Sequence, residues 1–62
     1  MSPQDLIYIT AFKKLMSKGH TQKRAGDYAA RSVFLWSHGR THDQAIKLAV
    51  KEAGKAKKPR RA

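Results

Sequence analysis

Apolar residues recur along this chain at helical spacing, and no segment shows the strict alternation of a strand. At roughly 100° per residue, Tyr8, Ile9, Phe12, Leu15 and Met16 share one face of a first helix, which is predicted to be its core face. Lys13, Lys14 and Ser17 point away from it. Ile7 and Ala11 fall at the edge of the opposite side, where Ile7 is either exposed or part of a contact. Ser2 suits the N-cap, Pro3 the first helical position and Asp5 the positive helix end. Lys18-Gly19 reads as the stop. A second helix, capped by Thr21 and running to about Ser37, carries the stripe Ala25, Tyr28, Ala29, Ser32, Leu35 and Trp36. Its small residues would let another helix come close. Lys23, Arg24, Asp27, Arg31 and His38 occupy the other side, with Asp27 and Arg31 spaced for an i, i+4 ion pair. Gly26 marks either a close approach or a weak first turn. Phe34 falls off the stripe beside Ala30. A third helix from His42 to about Ala53 turns Ala45, Ile46, Ala49, Val50 and Ala53 to the core, with Leu48 on one flank and Lys47 and Lys51 outside. Gly54 is expected to end it.

The junctions between these helices are the most specific local signal. In Gly39-Arg40-Thr41-His42-Asp43-Gln44, the glycine can end one helix in a left-handed conformation. Thr41 and Gln44 have the spacing of a capping box, in which the Thr hydroxyl accepts from the Gln44 amide and the Gln44 side chain reaches back. Gly19-His20-Thr21 repeats this punctuation 20 residues earlier. The correspondence extends to Ser17/Ser37, Ala25/Ala45 and Ala29/Ala49, through either internal duplication or convergence of helix caps. The expected fold is all-α: a compact three-helix domain over residues 1–54 with a helix-turn-helix-like core, then a disordered basic tail over 55–62.

Composition sharpens this picture. A chain of 62 residues without cysteine has no disulfide or thiolate metal site to support a thin core, so packed helices or a partner must stabilise it. A homodimer that partly buries Phe34 is expected on that ground. No apolar run is long enough to span a membrane, and the start of the chain lacks a signal peptide's positive segment, so a cytoplasmic location is expected, on the nucleoid in a bacterium or phage host and nuclear in a eukaryote. Charge changes the picture most. Lys and Arg number 14 against 4 Asp and Glu, a net +10. The tail supplies five of these cations, so the folded part remains basic without it. Such an excess selects polyanionic partners, with nucleic acid first.

Catalysis is not expected. His20, His38 and His42 are polar turn residues. His38 and His42 are separated by Gly39 and so do not form one helical turn, and neither a phosphate loop nor paired carboxylates occur. No metal or cofactor is implied. The unit around Gly39 resembles the generic helix-turn-helix pattern over about 20 residues, with Ala45 and Leu48 at later apolar positions and Leu35 where that pattern has a small residue. This resemblance implies that residues 42–51 form a recognition helix showing His42, Asp43, Lys47 and Lys51. Arg40 and Thr41 would then meet phosphate, while His42 and Lys47 would meet base edges. Gln44 can cap or contact a base, not both. A second basic face is offered by Lys23, Arg24 and Arg31. Lys55, Lys57, Lys58, Arg60 and Arg61 form an arm suited to phosphates or the minor groove. The aromatic residues Tyr8, Phe12, Tyr28 and Trp36 are read as core rather than as stacking platforms for single strands. The expected function is DNA binding by a small regulator or accessory factor. The alternatives are RNA binding, or a phage- or plasmid-type adaptor or inhibitor docking an acidic protein surface.

Overall fold

The fold is described from a computed structural model, over residues 2–57. Three helices account for nearly all of it: α1 (Pro3–Ser17), α2 (Gln22–Ser37) and α3 (His42–Lys57). Each of the three packs against the other two. The all-α, three-helix architecture read from the sequence is therefore present.

The two junctions are built alike, bond for bond. After α1, the Gly19 amide donates to the Met16 carbonyl at 3.0 Å and the His20 amide to the Leu15 carbonyl at 3.2 Å. After α2, the Gly39 amide donates to the Trp36 carbonyl at 3.1 Å and the Arg40 amide to the Leu35 carbonyl at 3.2 Å. These bonds satisfy carbonyls that a helix end leaves open, and they require a left-handed residue at the glycine. Gly19 and Gly39 accordingly have φ of 94° and 103°. Thr21 and Thr41 then start the next helix, each hydroxyl oxygen accepting from the amide three residues on at 3.2 Å. Ser17 and Ser37 each donate back to the carbonyl three residues earlier at 2.8 Å. The repeated unit thus reads Leu-x-Ser-x-Gly-x-Thr. Only the Thr half of the expected capping box is formed, because the Gln44 side chain makes no return bond to the Thr41 amide.

The core is dominated by alanine. Ala11, Ala25, Ala29, Ala45, Ala49 and Ala53 are all completely buried. Ile7, Ala11, Ala29 and Ile46 form one cluster, flanked by Val33 and Trp36. Leu15, Ala25 and Ala53 form a second, flanked by Tyr28, and Phe12 and Val50 border both. Ser32 is buried with its hydroxyl donating to the Ala29 carbonyl at 2.6 Å, so it adds no unsatisfied polar group.

Two expectations are corrected here. The core face of α1 is the row Ile7, Ala11 and Leu15, while Tyr8, Ile9 and Met16 are 38%, 37% and 42% exposed. Apolar side chains surround this helix, so periodicity alone does not choose a face. The choice falls to steric fit: a row with alanine at its centre lies closest against the alanines of α2 and α3. Second, α3 does not stop at Gly54 but continues to Lys57. Gly54 weakens the helix, yet Lys55, Ala56 and Lys57 are good helix formers, and no proline intervenes before Pro59. The remainder of the anticipated tail, residues 58–62, lies outside the described residues. Gly26 does mark a close approach, since a Cβ there would sit 3.2 Å from the Tyr8 hydroxyl.

Two glycines should respond oppositely to the same substitution. Gly39→Ala forces a side chain into a left-handed conformation and should destabilise the fold by about 1 kcal/mol. Gly54→Ala lies in a helix with nothing within 4 Å of the new methyl, and should stabilise by up to about 1 kcal/mol. Thr41→Ala should cost about 1 kcal/mol through loss of the cap. Urea unfolding followed by circular dichroism measures all three.

Candidate functional site

The cations on the outside of α3 come together because the inside is taken by alanine. With Ala45, Ala49 and Ala53 against the other helices, Arg40, Gln44, Lys47, Leu48 and Lys51 line one open depression on the outer face. Lys55, exposed, stands one turn beyond Lys51. No carboxylate lines this depression. A neighbouring furrow between α1 and α3 is lined by Thr10, Lys14, Lys18, Asp43, Ile46, Lys47 and Val50, so Lys47 belongs to both surfaces. Lys14 and Lys18 enter the site only through the packing of α1 on α3. Nothing in the linear sequence connects them to Lys47.

Glu52, the one acid in the second half of α3, is turned off this face. Its Oε1 accepts from Nε of Arg31 at 3.3 Å, joining α3 to α2. Arg31 therefore meets Glu52 rather than the anticipated Asp27, and its guanidinium also lies 5.3 Å from the centre of the Phe34 ring. Phe34, 48% exposed, also packs against His38 with ring centres 4.2 Å apart.

The predicted contact residues separate accordingly. Arg40, Thr41, Lys47, Lys51 and Lys55 are exposed. Thr41 uses its hydroxyl oxygen as the cap of α3. His42 is half-buried. It lies five residues, and so about 140° around the helix, from Lys47. The expectation that His42 and Lys47 share an exposed face is thus corrected: His42 lies on the same side as Ala49, which is buried. Gln44, whose backbone amide bonds the Thr41 hydroxyl while its exposed side chain does not reach back, stands on the outer face in its place. The second basic face is broken up. Arg24 is half-buried, Arg31 is paired, and Asp27 lines the same hollow as Lys23 and Arg24. Lys57 ends α3, while Lys58, Arg60 and Arg61 lie outside the described residues.

The histidines are dispersed. His20 is buried behind the first junction, His38 contacts Phe34, and His42 opens α3. Among the described residues, no three of His, Asp and Glu gather as metal ligands, and no helix is long and apolar enough to cross a membrane. Comparison with protein-family models, curated proteins and solved structures finds no match to the chain.

The Arg31–Glu52 pair is nearly half exposed on both sides, so Glu52→Gln should cost less than about 1 kcal/mol. The loss should shrink further at high salt. Urea unfolding at low and high ionic strength checks both statements.

Proposed function

We propose that this chain binds duplex DNA through the outer face of α3. The observation that carries this reading is the row of Lys47, Lys51 and Lys55 along one exposed side of α3, with Arg40 joining Lys47 and Lys51 in a depression that no carboxylate lines and Asp43 the single acid, one turn before Lys47. Cations along an exposed helix suit phosphates that flank a groove, and the B-form major groove is wide enough to admit an α-helix, whereas the A-form RNA major groove is not. In this arrangement the cations supply affinity by releasing counterions. Lys14 and Lys18, in one furrow with Lys47 and Asp43, carry a net positive surface onto α1. Gln44 replaces His42 as the candidate for a base edge, because a glutamine amide can pair with both N6 and N7 of adenine. A regulator or accessory factor is the role that best suits so small a DNA-binding chain.

Fluorescence anisotropy with a labelled duplex across a salt series tests the reading. Four phosphate contacts give a slope of about −4 in log affinity against log salt. Lys47→Glu and Lys51→Glu should each weaken binding to all sequences and flatten that slope by about 1. Lys23→Glu, on a different surface, should leave it unchanged. Absence of binding at low salt, or normal binding by both α3 variants, would overturn the proposal.

A further inference from the structure

We infer that the outer face of α1 is a homodimer interface, in which a second copy of this chain packs antiparallel about Ile9. Leu6, Tyr8, Ile9 and Met16 are each more than a third exposed, although the core has room for few large side chains. Beside them runs a furrow between α1 and α2, lined by Tyr8, Ile9, Phe12, Lys13, Gly26 and Asp27 among others. Gly26 keeps its floor low, for a methyl there would already press on the Tyr8 hydroxyl.

What identifies the occupant is the placement of charge. Asp5, Ile9 and Lys13 are spaced four apart and form one ridge along α1. Set against the same ridge of a second copy running the other way, Ile9 meets Ile9 near the two-fold axis. The Asp5 carboxylate of each copy then lies beside the Lys13 ammonium of the other. The apolar row Tyr8, Phe12 and Met16 forms one wall of the groove that receives the second ridge. Packing of i, i+4 ridges into grooves is the commonest helix pairing, and a contact that is its own complement is what a two-fold dimer requires.

The net charge of the chain points to the same face. A protein of +10 repels its own copies wherever its cations are concentrated. Around Ile9 the charges balance: Asp5 on the ridge and Asp27 in the furrow offset Lys13 and Lys23. Two of the 4 acids and two of the 14 cations lie here, so the whole net charge sits elsewhere. The face is therefore both the most apolar exposed area and one that carries no net repulsion. Phe34, in contact with Arg31 and His38, is outside it.

Sedimentation of the full chain at physiological salt tests the inference, at concentrations up to about 100 µM, where an interface of modest area is populated. The wild-type chain should sediment as a dimer. Ile9→Lys should sediment as a monomer with unchanged helical circular dichroism. Lys13→Glu and Asp5→Lys should each weaken self-association by about tenfold or more, since both ion pairs become repulsions. Mixed in equal amounts, these two variants should form a heterodimer, because every carboxylate again faces an ammonium. That recovery requires both variants to be folded and so separates a lost interface from a lost fold. A monomeric wild-type chain, a dimer indifferent to Ile9→Lys, or a mixture no more associated than its components would each overturn the inference.

Discussion

Everything in this fold follows from the alanines at its helix seams. Alanine loses no rotamer freedom on burial, and its small side chain lets helices approach closely. It also removes little apolar area from water. Among the described residues, Ile7 and Leu15 are the only large apolar side chains that are completely buried. The fold therefore relies on close backbone packing and well-closed helix ends more than on bulk. It also leaves several large apolar residues on the outside of α1, uncovered by α2 and α3.

The same seams sort the charges. With alanine facing inward along α3, lysines fall on the outer side at successive turns. Glu52 lies where it reaches across to α2 instead of diluting that row. Asp27 lines the α1–α2 furrow, which shares no residue with the depression of the α3 cations, and Asp5 lies in the first turn of α1. A strongly basic chain thus has one surface of concentrated positive charge and another where the charges cancel.

How much of this is legible in the sequence depends on the range of the interaction. The junctions are readable because glycine, threonine and serine make their bonds within six residues. The inward faces of α2 and α3 are largely readable because their small apolar residues recur at helical spacing, although Val33 packs on the core from outside the stripe read for α2 and Phe34 is left exposed. The face of α1 is not, since Leu6, Ile7, Tyr8, Ile9 and Phe12 encircle it and only contact with Ala25, Ala29 and their neighbours selects Ile7 and Ala11. Local spacing offers Arg31 a partner in Asp27, but packing brings Glu52 from 21 residues away. His42 and Gly54 illustrate the weakness of helix ends as landmarks. The histidine begins α3 from its inner side, and the glycine is carried through by its helix-forming neighbours. The gathering of Lys14 and Lys18 with Lys47 is tertiary and has no counterpart in the linear pattern.

The twin junctions also bear on how the chain finds this structure. Each contains its own stop and start signals and closes over four residues, 18–21 and 38–41. Neither needs a distant segment in order to form its bonds. Helices connected in this way meet their neighbours after very short loop closures, which carry a small entropic penalty. Proteins dominated by such near-neighbour contacts reach the native state in microseconds to milliseconds. Writing the same seven-residue turn twice thus gives a chain with a thin core a short conformational search.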